Sequence, residues 1–162
     1  MIPEIKVTVA GLQPLMAMMS RAPELVTEEI TKAMKQSTLT IEGEAKQLVP
    51  HKTGSLRRSL VSQVRPLLSG VEGLVGTNIQ YGPYVEIGTG IYGPEKRPIT
   101  PKTAKVLAFK GQDGQMIFRK NVRGMPARPY LKPAFEESKA RVEEFFRQAL
   151  KRVLRRLVSG GR

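Results

Sequence analysis

Residues 23–50 read PELVTEEITKAMKQSTLTIEGEAKQLVP. Val26, Ile30, Ala33, Met34, Ser37, Ile41, Ala45 and Leu48 recur at steps of three and four, which lays one stripe along a helix. Pro23 suits the first turn, where its missing N–H leaves no bond unmade. Glu24, Glu28 and Glu29 stand near the end where the helix dipole favours negative charge. Pro50 stops the run, because the residue before a proline avoids helical angles. The spacing predicts a long amphipathic helix to about Leu48, with Gly43 the point at which it would break if anywhere.

Such a helix needs an apolar surface to cover, and the flanking segments supply strands. EIKVTV at 4–9 alternates, with Ile5, Val7 and Val9 on one side, the period of a half-buried strand. The methionine-rich patch Leu15–Met19 reads as core filler. After the turn HKTG, Leu60, Ser62 and Val64 alternate with Val61, Gln63 and Arg65. Gly73–Thr77 reads as the next strand, with LLSGVEG as the hairpin connection. Tyr81–Ile87 suggests a helical turn closed by Gly88 and Gly90. Residues 88–104 hold three glycines and three prolines, an irregular loop of a length that usually signals binding or mobility. Val106–Lys110 and Gln115–Lys120 flank GQDG, a second hairpin. NVRGMPARP then leads to the final helix, where Phe135, Val142, Phe145, Phe146, Ala149, Leu150, Val153 and Leu157 share one face and Arg141, Arg147, Lys151, Arg152 and Arg155 the other. Gly160 and Gly161 end it.

These elements predict an α+β fold: an antiparallel sheet of four to five strands packed by the N-terminal-half helix and the C-terminal amphipathic helix. At 162 residues the chain is expected to form a single domain over 1–162, with long loops at 88–104 and 121–132. Folding at this length hides roughly 70% of the unfolded surface, so no staples are required. The absence of cysteine excludes disulfides, thiolate chemistry and cysteine-based zinc sites, and one histidine argues against a His-rich metal centre. No apolar run reaches the roughly 18 residues of a membrane span, and MIPEIKVTV lacks a secretory pattern, so a soluble protein of a reducing cytoplasm is expected.

Charge is the compositional anomaly. The net value is +13, and residues 96–132 contribute +9 of it, with ten basic residues against Asp113 alone. Such a field attracts polyanions: nucleic acid, an acidic protein face or an anionic surface. Lys96, Arg97, Lys102, Lys105, Arg119, Lys120, Arg123 and Arg128 fall on the loops and hairpin and not on a regular helix face. They are candidates for phosphate contact without base readout, since interleaved aromatics are sparse (Tyr92, Phe109, Phe118).

No catalytic, cofactor-binding or metal-ligating constellation accompanies them. GTGIYG at 88–93 matches G-x-G-x-x-G, but Pro94, Pro98 and Pro101 forbid the helix that a dinucleotide site requires. His51, between Pro50 and Lys52, has no orienting partner at a spacing that would make it a general base. Glu86, in YGPYVEIGTG, reads as a structural carboxylate anchoring its loop.

Taken in order, VPHKTGSLRRS at 49–59, YGPYVEIGTG at 81–90 and GMPARPYLKPAFEE at 124–137 form a pattern. It resembles the tail-completion, or head–tail joining, neck proteins of long-tailed bacteriophages. The matching positions are Pro50; Thr53, Gly54, Leu56 and Arg57; Tyr81, Tyr84, Val85, Glu86, Gly88 and Thr89; and Pro129, Tyr130, Pro133 and Ala134. Tyr130 stands where phenylalanine is commoner, and the basic 96–132 segment is a departure. The resemblance implies a non-enzymatic virion protein, without cofactor, assembled in the host cytoplasm. Its expected partners are further copies of itself in a ring, usually a hexamer, with tail terminator or tail tube proteins on one side and head-connector or head-closure proteins on the other. Double-stranded DNA would pass through the channel without sequence preference, and no membrane is involved. The motif residues are then candidates for subunit contacts and the eight cations for the channel lining. The alternative is a non-specific nucleic-acid-binding protein that acts in packaging or regulation outside the virion.

Overall fold

The stripe that starts at Val26 forms one unbroken helix. In a computed structural model describing residues 4–7, 23–50, 53–68, 70–111 and 113–159, the elements in chain order begin with β1 (Glu4–Val7), α1 (Pro23–Leu48), α2 (Ser55–Ser59), β2 (Leu60–Leu67) and β3 (Gly70–Thr77). They continue with α3 (Gly82–Ile87), a 3-10 turn at Gly90–Tyr92, β4 (Leu107–Lys110), β5 (Met116–Arg119) and α4 (Leu131–Ser159). Val9, the Leu15–Met19 patch, His51 and the Gly160–Gly161 helix stop lie outside the described residues. The elements gather into two compact units: α3 to β5, within residues 80–129, and the remainder, which joins β1 through Ile79 to the segment from Tyr130 onward.

In the larger unit, Val26, Ile30, Ala33, Met34, Ser37, Ile41 and Ala45 are buried, whereas Leu48 at the helix end is exposed. Gly43 causes no break, and the space a Cβ would take there is open. The α+β class stands, but the strands do not make one sheet of four or five. β1, β3 and β2 pair antiparallel in that order, and β4 and β5 form a separate two-stranded ribbon. The physical reason lies between Thr77 and Leu107, where Pro94, Pro98 and Pro101 withhold ladder donors and no strand carries the first sheet onward. LLSGVEG is mostly strand and not connection. β2 and β3 pair in register from Leu60↔Thr77 to Leu67↔Gly70, so the turn is only two residues long.

That register puts Leu60, Ser62 and Val64 opposite Thr77, Val75 and Gly73. On this side α1 comes very close: a Cβ at Gly73 would lie 2.5 Å from both Met34 Sδ and Thr38 Cγ2. A side chain at Gly73 would therefore hold the helix off the sheet. The expectation that both long helices share the covering is corrected. α1 is the helix applied to β2 and β3, and the main partner of α4 is α1.

The α1–α4 contact includes an ion pair that the helical periodicity did not single out. Glu29, 1% exposed, accepts from Arg152 Nε at 2.6 Å, with Lys32 Nζ and Arg156 Nη1 each 3.4 Å from its other oxygen. Arg152, assigned from periodicity to the solvent face of the last helix, instead turns its guanidinium onto this carboxylate. A buried carboxylate is costly unless paired. The Arg152 hydrogen bond, and after it Lys32, hold the Glu29 pKa below its ordinary 4.5 although burial pushes it upward. A depressed folded pKa contributes stability that is present above the unfolded value and is lost as pH falls through the folded one. Wild type should therefore lose Tm as pH drops below about 4.5. Glu29→Gln should be about 2 kcal/mol less stable at pH 7 and show a flatter acid limb. Parallel melting curves of the two proteins between pH 3 and pH 7 would refute this if they stayed parallel.

Candidate nucleic-acid interface

The 80–129 unit is assembled from two loops that are far apart in sequence. Thr89 N donates to Met125 O at 2.9 Å, and Met125 N returns a bond to Thr89 Oγ1 at 2.9 Å. Ile91 N donates to Arg123 O at 2.9 Å, and Ile99 and Val122 exchange both backbone bonds as an isolated bridge. Arg128 N donates to Val85 O at 2.8 Å, tying the second loop to α3. The loops 88–104 and 121–132 thus bind each other within one chain over 89–99 and 122–125.

The crossing depends on glycine. Gly90 has φ 62 and Gly124 φ 91, in the left-handed region that L side chains avoid. A Cβ on Gly90 would lie 2.2 Å from Arg123 O, and one on Gly124 would lie 2.2 Å from Thr89 O. GTGIYG therefore serves as a backbone clasp. It opens no helix beyond the three-residue 3-10 turn, in keeping with Pro94, Pro98 and Pro101, which follow it.

On this clasped frame sit the cations. Lys96, Arg97, Lys102, Lys105, Arg119, Lys120, Arg123 and Arg128 are all exposed. Among the described residues, none of their side chains is in a hydrogen bond or ion pair. With Lys110, the unit carries nine cations against Glu86, Glu95 and Asp113. Lys96 is held at φ 50, a left-handed conformation unusual for a side-chain-bearing residue, by the turn in which its N donates to Gly93 O at 3.1 Å. In the larger unit, by contrast, Lys32, Lys46, Arg141, Arg147 and Arg152 are each paired with a glutamate. Arg57 and Arg58 of that unit are unpaired as well, but the net charge is densest over residues 80–129, where nine cations face three acids.

Compared with known proteins, the chain matches no family model, no curated protein and no solved structure. Its chemistry rests on its own residues. Among those described, no group of three or more His, Cys, Asp or Glu side chains is placed to hold a metal ion. No described helix is long and apolar enough to cross a membrane.

The motif residues divide between the units. Val85, Gly88 and Thr89 are brought against the 122–128 segment, and Glu86 is half-buried beside them in sequence. Tyr81 and Tyr84 are exposed on and next to α3, and Pro129 is exposed at the unit's end. Thr53, Gly54, Leu56 and Arg57 belong to the other unit, where Leu56 is buried, Arg57 exposed and Gly54 left-handed at φ 70. Tyr130 is fully buried at the head of α4, and Pro133 occupies its first turn. Sequence reasoning missed the pairing of Gly90 with Gly124. The available signal was a glycine in each of the two long loops on either side of a hairpin.

Proposed function

We propose that this chain is a non-enzymatic structural protein of a phage virion, a tail-completion or head–tail joining ring component at the neck, with its basic loops lining the DNA channel. The observation that carries the reading is the set of eight exposed, unpaired cations on one clasped unit. Their charge is free to meet phosphate, and their spread over loops and a hairpin offers no helix for insertion into a major groove. The ordered motif set supports the same reading. Ring closure needs two different surfaces per subunit. A chain of net +13 repels its own copies unless an anion or an acidic partner lies among them.

Purified protein examined by negative-stain electron microscopy with short duplex DNA should form closed rings, and particles made without it should have unjoined tails. Binding to unrelated duplexes should be equal within about threefold and should weaken steeply with salt. A monomer that prefers one duplex sequence by a hundredfold would transfer the assignment to a regulatory nucleic-acid-binding protein.

A further inference from the structure

We infer a second oxyanion site, one that takes a phosphate group, in the recess between the C-terminal part of α1 and the turn into α2. Lys46, Gly54, Arg57 and Arg58 line this recess, which has a volume of about 400 Å³. It belongs to the larger unit and shares no residue with the eight loop cations, so it is built from a different set of side chains than the proposed channel lining.

Charge balance is the first support. Lys46 Nζ donates to Glu42 Oε1 at 2.5 Å, and that carboxylate also takes a hydrogen bond from Ser62. Burial pushes the Glu42 pKa up, but Lys46 and Ser62 hold it below its ordinary value, so it remains the counter-ion of Lys46. Arg57 and Arg58 have no such partner among the described residues. Arg57 and Arg58 both line the recess, their like charges repel each other more strongly the closer they stand, and a bound dianion offsets that repulsion. Phosphate matches the excess of two charges.

Geometry is the second support. Gly54 sits at φ 70, and a Cβ there would be 3.3 Å from Arg58 Nη1, so the guanidinium lies against bare backbone. Arg58 N donates to Gly54 O at 3.0 Å, which fixes the turn beneath it. The Arg58 guanidinium lies over this turn without a partner among the described residues, and its planar fork suits two phosphate oxygens at once. The recess is wide enough for a phosphate carrying a substituent. Free phosphate and a phosphate of the DNA backbone are both such groups.

The full-length chain titrated with inorganic phosphate, at ionic strength held constant with chloride, should show saturable amide and guanidinium shifts at Gly54, Arg57 and Arg58. The double variant Arg57→Gln/Arg58→Gln should bind at least tenfold more weakly, whereas Lys139→Gln/Lys151→Gln, at exposed positions of α4, should bind as wild type does. Circular dichroism checks the fold of the double variant. If it fails to fold, Arg57→Gln alone, at an exposed position, should still lose severalfold. Shifts that chloride reproduces, or that persist in the folded arginine variant, would overturn the inference. Adding a 12-bp duplex to the phosphate-loaded protein identifies the source: displacement assigns the DNA backbone, and retention assigns a free phosphate.

Discussion

Gly124→Ala is expected to melt the 80–129 unit. The new Cβ would lie 2.2 Å from Thr89 O and 2.5 Å from Thr89 C, both main-chain atoms that cannot rotate away. The left-handed φ of 91 adds a further penalty, about 1–2 kcal/mol for a residue with a Cβ. Separating the strands of the clasp also breaks the Thr89–Met125 and Ile91–Arg123 bonds, at about 1 kcal/mol each. With overpacking included, the total is about 4–6 kcal/mol, a large part of any small unit's stability. Hydrogen exchange should show lost protection at Thr89, Ile91, Val122 and Met125 while the amides of α1 and α4 keep theirs. Gly114→Ala is the matched control. Its φ is 82, but its nearest neighbour is Lys110 Cε at 3.8 Å, so about 1–2 kcal/mol is expected. Equal protection in the Gly124 and Gly114 variants would show that the clasp does not hold the unit together.

Neutralising Lys96, Arg97, Lys102 and Lys105 together to glutamine should weaken duplex DNA binding on the order of a hundredfold at 0.1 M salt. The slope of log affinity against log salt should fall by about 3–4, since each phosphate contact contributes about 0.9. The four side chains are exposed and unpaired, so the melting temperature should stay within about two degrees of wild type. The loss should be the same for two duplexes of unrelated sequence, because contacts to phosphate carry no base information. Fluorescence anisotropy from 50 to 300 mM salt reads both quantities. An unchanged slope would mean that these residues do not meet phosphate.

How much of this was legible beforehand follows from the range of the interactions involved. The stripe from Val26 to Ala45 could be read because a helix is periodic and its partner surface need not be known. The same holds for Val142, Ala149 and Val153 on α4. Both hairpins were also legible, since strand alternation and GQDG are local signals, although the first turn proved tighter than its seven-residue connection suggested. The division of the strands into separate sheets was not legible. It depends on whether the chain between Thr77 and Leu107 supplies a ladder, and proline content indicates only that it supplies a poor one. Glu29 and Arg152 are 123 positions apart. On its own helix each looks like an ordinary charged residue, and only the packing of α1 against α4 brings them together. The exposed positions of the eight cations followed from their loop and hairpin placement, whereas the Gly90–Gly124 crossing required both loops at once.

The 80–129 unit is one continuous segment, entered after Ile79 and left before Tyr130, whereas the unit around it is built from chain on both sides of that segment. An inserted cassette of this kind can gain, lose or exchange its charged residues without altering one buried position of the helix stripe on α1. Its charged surface can therefore diverge rapidly among descendants while the scaffold that carries it stays constant.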